Sequence, residues 1–231
     1  MPWGRVGSNL LVAQFRDSFA SRMTRIRNEP LNVIKDADEQ LGWLRDFYGE
    51  RNDDELLVAS KHGLLSIADI DAFSGFLVEQ GIRLIRHRRD NLVKVAVSQQ
   101  RAELYARHST EEDGKARWGV LRGEKPLGTV DLDPAEFVRT LRYVSEAQSK
   151  FDAFRPDCPT YDLEYETLKA DPVAVGRDVM QWLGLDPQRE IKLRFDKATP
   201  EKLRAAVPNL DTLRRASADA GFADLDAMFD E

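Results

Sequence analysis

The stretch GRVGSNLLVAQF, Gly4 to Phe15, decides how the rest of the chain is read. A charged residue, two glycines and a Ser-Asn pair stand directly before a run in which Leu11, Phe15, Phe19 and Met23 recur every four residues. That spacing predicts a buried amphipathic helix starting near Ser8. Two readings fit the stretch alone. It is a capped helix with an incidental arginine, or it is a cradle in which glycine lets an anion approach the backbone, while the helix offers unpaired N–H groups and the positive end of its dipole. In the second reading Arg5 adds a full charge, and Ser8 and Asn9 add side-chain donors. The pattern G-x-x-x-x-G-K-[ST] is absent and no lysine precedes Ser8, which argues against a nucleoside triphosphatase.

Working outward, a second helix is expected around Asp36 to Tyr48 on the apolar face of Leu41, Trp43, Leu44 and Phe47, and ELLVAS (55–60) reads as a buried strand ending at Lys61-His62. Residues 69–80 read as helix, IRLIRH (82–87) as the next strand, and Asp90-Asn91 as the cap of a helix through LVKVAVSQQRAELYAR. Residues 110–130 form a polar, glycine-bearing excursion of the kind that carries function or mobility, with Trp118 available to line an acceptor site. DLDPAEF then opens a helix: Asp133 is the N-cap, Pro134 the first helical residue and Glu136 the capping-box partner, with Phe137, Leu141, Val144, Phe151 and Phe154 on the buried side. TYDLEY (160–165) alternates like a strand, and Asp171-Pro172 opens a helix with Val175, Val179 and Trp182-Leu183 inward, closed by Gly184. Strands alternating with helices predict a parallel, helix-covered sheet. Beyond Pro187 the pattern turns helical and polar, read as an appendage over one sheet edge. The expected organisation is one domain, 1–231, with an α/β core over 1–187 and a C-terminal helical extension over 188–231.

At 231 residues, with 42% hydrophobic and 32% charged residues, the chain can bury a sizeable core. Its formal charge of −6 repels polyanions, so nucleic acid is not an expected partner and any anion site must be local. No apolar run approaches the roughly 20 residues that span a bilayer. Too few residues precede position 10 for a secretion signal, and the single Cys158 can form no internal disulfide, so a cytoplasmic location is expected. His62, His87 and His108 lack zinc-like spacing, so no metal is expected.

A second basic constellation is RLIRHRRDNLVKVAVS, where four arginines and Lys94 crowd a strand end and the first turn of the next helix. It is a solvated basic edge, or a grip on a second anionic group, since arginine holds phosphate through two parallel hydrogen bonds. Here a resemblance enters. GRVGSNLL is similar to the 5′-phosphosulfate loop of sulfotransferases. RRDNLVKVAVS resembles their 3′-phosphate segment, and YDLEYETLKADPVAVGRDVMQWLGLD resembles their strand-helix passage; all three stand in the family's order. The nearest likeness is to bacterial carbohydrate sulfotransferases of the nodulation-factor and glycolipid type, over about residues 4 to 185, and more faintly over DKATPEKLRAAVPNLDTLRR.

The resemblance implies a P-loop-like, three-layer α/β/α fold with a central parallel sheet. It implies transfer of a sulfuryl group from 3′-phosphoadenosine 5′-phosphosulfate, as co-substrate, to a hydroxyl of a carbohydrate or glycolipid. Carried over by position, Arg5, Gly7, Ser8 and Asn9 hold the 5′-phosphosulfate, with Arg5 also meeting charge on the leaving oxygen, and Arg88 or Arg89 with Ser98 holds the 3′-phosphate. Two bases compete for the acceptor proton: Glu29 in RIRNEPLN fits the bacterial pattern, and His62 stands where the cytosolic small-molecule enzymes place a histidine. Lys61 matches the family's strand-end residue. Only Met1 to Trp3 precede the loop, so the first strand is expected to be very short or truncated. The competing classes are a non-catalytic nucleotide-binding relative and a small-molecule or nucleotide kinase.

Overall fold

The computed structural model describes residues 7–19, 21–50, 52–109, 120–121, 123, 128–193, 195–196 and 202–230. Arg5, Trp118, most of the 110–130 excursion and the expected strand at Met1 to Trp3 lie outside them. The chain divides into two compact units, Met1–Arg88 with Ser149–Leu193, and Arg89–Gln148 with Arg194–Glu231. In chain order the helices are α1 (Ser8–Ser18), α2 (Ala37–Gly49), α3 (Ile70–Glu79), α4 (Leu92–Ser109), α5 (Pro134–Ala153), α6 (Tyr165–Ala170), α7 (Pro172–Leu183) and α8 (Leu210–Asp219). The strands are β1 (Thr24–Asn28), β2 (Leu57–Lys61), β3 (Leu84–Arg88), β4 (Val120–Leu121), β5 (Thr160–Glu164) and β6 (Phe195–Asp196). The result is a mixed α/β structure.

In the first unit β1 pairs with β2 and β3 with β5, both in parallel, with Asn28 opposite Lys61 and Arg88 opposite Glu164. Among the described residues the parallel strands form two pairs rather than one continuous sheet. The core of this unit is built on Leu11, Phe15 and Phe19 of the first helical stripe, Ile26, Leu163 and Leu168, and Val175, Val179 and Met180. Met23 and Leu183 pack against it half-buried. Local chemistry sets the helix ends. The Asp36 carboxylate accepts from the Glu39 N–H at the start of α2, that of Asp69 from the Asp71 and Ala72 N–H groups before α3, and that of Asp171 from the Ala174 N–H before α7. Gly184 closes α7 at φ 78°, where a residue with a Cβ is strained. TYDLEY is one residue longer than the strand it forms, because Tyr165 already turns into α6.

In the second unit the Asn91 side chain accepts from the Lys94 N–H and donates to the Met228 carbonyl. The Asp133 carboxylate takes the Glu136 N–H, as expected, while the Glu136 carboxylate is ion-paired with Arg139. The C-terminal segment is helical in pieces, a 3₁₀ turn at Leu203–Ala205, α8, and a 3₁₀ stretch at Ala223–Phe229. Pro208 falls between the first two, where it cannot continue a helix. This segment is tied to residues 128–132: the Val130 N–H donates to the Ala206 carbonyl, and Asn209 exchanges two bonds with the Leu132 backbone. The short strands β4 and β6 pair antiparallel in the same unit.

Candidate functional site

The parallel register of β1 and β2 fixes a site at their carboxyl ends, the edge at which open α/β sheets bind ligands. Asn28 and Lys61 end the two strands opposite each other, and one further ladder bond runs from the Glu29 N–H to the Lys61 carbonyl at 2.6 Å. Glu29 therefore stands beside Lys61 although 32 positions separate them in sequence (61 − 29). The Lys61 ammonium reaches two partners at once: the Glu29 carboxylate at 2.6 Å and the side-chain oxygen of Asn9 at 2.7 Å. Asn9 lies in the first turn of α1, so one cation ties two strand ends to the N-terminus of a helix. The Lys61 side chain is 10% exposed, that of Glu29 42%. The cation is buried in the arrangement, and the carboxylate faces outward.

Glu29 is held in place by more than the lysine. Its backbone is left-handed, φ 52° and ψ 43°, and it is the sole non-glycine with positive φ among the described residues. Such a conformation costs of order 1–3 kcal/mol and persists where the surroundings over-determine it. The 3₁₀ turn Pro30–Asn32 follows at once and returns the Asn32 side-chain amide N–H to the second Glu29 oxygen, 2.9 Å away, while the Ser66 hydroxyl donates to the Asn32 side-chain oxygen Oδ1 at 2.5 Å. Asn32 and Ser66 were not singled out from the sequence. The one signal for Asn32 is its spacing, an amide three residues after a carboxylate across a proline turn.

Helix α1 starts at Gly7, φ 82°, with no side chain capping it. Ser8 is thus the first helical residue and not the cap, and the ordinary explanation for a serine before a helix does not apply here. Gly7 has a second constraint: a Cβ there would come within 3.1 Å of the Tyr165 ring and 3.4 Å of Leu168. Two of the motifs read in sequence, the glycine loop and YETL, are therefore in direct contact.

The other basic constellation is divided by its partners. Arg86 is buried, ion-paired with Asp162 at 2.9 Å, donating to the Phe154 carbonyl and lying over the Phe151 ring. Arg83 donates to the Trp182 carbonyl and stacks on its ring. Both are explained by packing alone. Arg88 pairs with its cross-strand neighbour Glu164 at 2.8 Å. Arg89 and Ser98 are buried in the second unit. The structure thus brings Ser8, Asn9, Glu29 and Lys61 to one strand edge, and Arg88 and Arg89 fall on either side of the unit boundary.

His62 is 3% exposed. Its Nε2 is 2.6 Å from the Ser60 hydroxyl, which is itself 2.8 Å from the Tyr48 hydroxyl, and its ring meets Trp43 and Phe73 edge-on. Burial above all pulls the imidazole down to about 3, with the Lys61 charge a minor cause in the same direction, so it is neutral at pH 7. A cavity of about 680 Å³ lies alongside, with Ser8, Lys61 and His62 on its polar wall and Leu11, Phe15 and Phe73 on its apolar one. Among the described residues no cluster of three or more His, Cys, Asp and Glu is placed to hold a metal, and no helix is long and apolar enough to cross a membrane.

No family model matches the chain, and no curated protein matches it. Among solved structures it is similar to a sulfotransferase from Alicyclobacillus acidocaldarius, at 15% identity and a TM-score of 0.48, over 97% of this chain and 90% of that one.

Proposed function

We propose that this chain is a sulfotransferase that moves a sulfuryl group from 3′-phosphoadenosine 5′-phosphosulfate to a hydroxyl of a carbohydrate or glycolipid, in the cytoplasm, on a P-loop-like three-layer fold. The observation that carries the reading is the Lys61 ammonium set between Asn9 and Glu29 at the N-terminus of an uncapped helix. Phosphosulfate is a polyanion. A helix N-terminus, a buried cation and the donors of Ser8 and Asn9 answer its charge, and Arg5 from the same loop joins them.

In the reaction the acceptor oxygen attacks sulfur, the bond from sulfur to the bridging 5′-phosphate oxygen breaks, and adenosine 3′,5′-bisphosphate leaves. Glu29, outward-facing and anchored at both oxygens, takes the hydroxyl proton; Lys61 and Arg5 meet the charge on the leaving oxygen. His62 fits this task less well, because its Nε2 is engaged by Ser60 and its ring is enclosed by aromatic side chains. Arg88 or Arg89 with Ser98 holds the 3′-phosphate.

The test has two stages. Adenosine 3′,5′-bisphosphate is expected to raise the melting temperature, since a ligand that binds only the folded state stabilises it, by about 2.7 kcal/mol at a hundredfold excess over Kd. Labelled sulfate from the full donor is then expected on a carbohydrate or glycolipid acceptor, with Glu29→Gln abolishing transfer and leaving the thermal shift intact. No shift at millimolar bisphosphate rejects the reading. A shift without transfer to any acceptor assigns the chain to the non-catalytic nucleotide binders, and phosphate transfer from ATP assigns it to the kinases.

A further inference from the structure

One buried side chain of α2 holds both of the loops that leave the carboxyl ends of β1 and β2. Gln40 is 3% exposed, and its amide nitrogen donates to the Ile34 carbonyl at 2.8 Å and to the Ser66 carbonyl at 2.7 Å, with the Leu31 carbonyl 3.4 Å away. Its oxygen accepts the Ala68 N–H at 2.9 Å. Leu31 and Ile34 belong to the segment after Glu29, Ser66 and Ala68 to the segment after Lys61. The whole amide is thus spent on main-chain groups of the two loops, and an ionised glutamate in its place would face the same carbonyls with no hydrogen to give.

From this clamp one route leads to Glu29. The Ser66 hydroxyl donates to Asn32 Oδ1, and Asn32 Nδ2 donates to Glu29 Oε2. Chemistry fixes the direction of the relay. A carboxylate only accepts, so the Asn32 nitrogen faces Glu29, its oxygen faces Ser66, and the serine is the donor. Packing does little to hold the Glu29 carboxylate: its side chain is 42% exposed and its backbone is left-handed, a conformation that persists where neighbours over-determine it. Lys61 fixes one oxygen. The other is fixed by Asn32, an exposed residue in a turn whose flanking carbonyls, those of Leu31 and Ile34, are the ones that meet Gln40.

We propose that Gln40 and Ser66 are positioning residues for sulfuryl transfer, acting through Asn32 to aim the Glu29 carboxylate at the acceptor hydroxyl; the role rests on the reading of Glu29 as the base. Lys61 and Asn32 occupy one lone pair on each carboxylate oxygen, so the acceptor's proton is taken on a remaining lone pair, in the single orientation the two donors allow. Gln40 itself has no bond to Glu29. Its effect is on where the base stands, and a displacement of about 1 Å in a reacting group costs on the order of a hundredfold in rate.

The test joins side-chain amide NMR to transfer kinetics on the full chain. In the parent, the Asn32 amide hydrogens are expected away from the position of a solvated asparagine, because one is held on a carboxylate. Glu29→Ala, Ser66→Ala and Gln40→Met should each bring them to that position, and Ser66→Thr, which keeps the hydroxyl, should not. With labelled sulfate from 3′-phosphoadenosine 5′-phosphosulfate and an acceptor of the parent chain, Ser66→Ala and Gln40→Met are expected to lower kcat by about 10- to 100-fold. KM for the donor and the thermal shift from adenosine 3′,5′-bisphosphate stay as in the parent, and Ser66→Thr recovers most of the loss. Asn32→Ala combined with Ser66→Ala should be no slower than Asn32→Ala alone, since both cut one route. Ser66 is half-buried, and its variants decide the question if Gln40→Met does not fold. Amide signals that ignore Ser66→Ala overturn the proposal, as does a loss of kcat matched by a loss of donor binding, or losses that multiply in the double variant. Transfer by the parent and equally by the variants overturns the clamp alone. Amide signals that respond in a parent chain that transfers no sulfate overturn the sulfotransferase reading, and the catalytic role of the clamp with it.

Discussion

Gly7 shows how much a single position carries. Its φ of 82° lies in the left-handed region, and the space where a Cβ would stand is already crowded by the Tyr165 ring at 3.1 Å. An L side chain is penalised there twice, once by its own backbone and once by a neighbour that belongs to the core: Leu168, one turn along α6 from Tyr165, is completely buried. Gly7→Ala is therefore expected to lower stability by about 1–3 kcal/mol, read as a shift of the urea midpoint with unchanged slope. A neutral outcome would mean that α1 can start elsewhere without loss. The sequence motif pointed to Gly7 for a different reason, the approach of an anion to the backbone, and the packing reason was not legible, because Tyr165 stands 158 positions away (165 − 7). Lys61 is the converse case. Its place at a strand end was readable, and its two partners were not, since Asn9 and Glu29 reach it only through the register of β1 against β2.

Among the elements, those with a clear period or a clear cap were legible: α1 by its fourfold apolar spacing, α5 and α7 by Asp-Pro starts, β2, β3 and β5 by short apolar or alternating runs between helices. Strand β1 was not, and its composition says why. TRIRN has one buried residue, Ile26, between two arginines, so neither an apolar run nor a helical period marks it. What holds it is Arg25. The guanidinium pairs with both oxygens of Glu55, at 3.0 and 3.1 Å, donates to the Phe47 and Glu50 carbonyls at the end of α2, and lies 4.9 Å from the Phe47 ring centroid. Side-chain exposures of 16% for Arg25 and 8% for Glu55 make this a largely buried pair. Removing one partner of such a pair leaves a charge without compensation, at a cost of about 3–5 kcal/mol. Arg25→Ala should show a loss of that order in urea unfolding, and Arg25→Ala combined with Glu55→Gln should regain part of it. Additive losses in the double variant would show that the two side chains do not interact. The position of Glu29 depends on the same strand, so Arg25→Ala is also expected to weaken the site at the end of β1.

At the scale of the whole molecule, two buried histidines inside the first unit make stability depend on pH. His87 is 2% exposed and neither ring nitrogen has a hydrogen-bond partner among the described residues; His62 is nearly as buried. Burial lowers both from the ordinary 6.5 to about 3. Depressed in the folded state, each is neutral there while its unfolded counterpart takes up a proton below about 6.5. The unfolded chain therefore binds more protons between pH 6.5 and 3, and stability is full above that window and falls as pH drops through it. The slope approaches about 1.4 kcal/mol per pH unit for each histidine, so near pH 5 the pair together removes about 4 kcal/mol, a large part of the 5–15 kcal/mol of a typical domain. The two histidines can be separated because their bonding differs. His62 would lose its Ser60 contact on substitution, whereas His87 has no such bond to lose, so His87→Leu removes a titrating group at little other cost. Urea midpoints measured from pH 8 to pH 4 should fall about half as steeply in His87→Leu as in the parent chain, with the two curves closest above pH 7. Parallel acid limbs would show that His87 stays neutral in the unfolded chain as well or is charged in the folded one, and either would remove the burial argument on which the expectation stands.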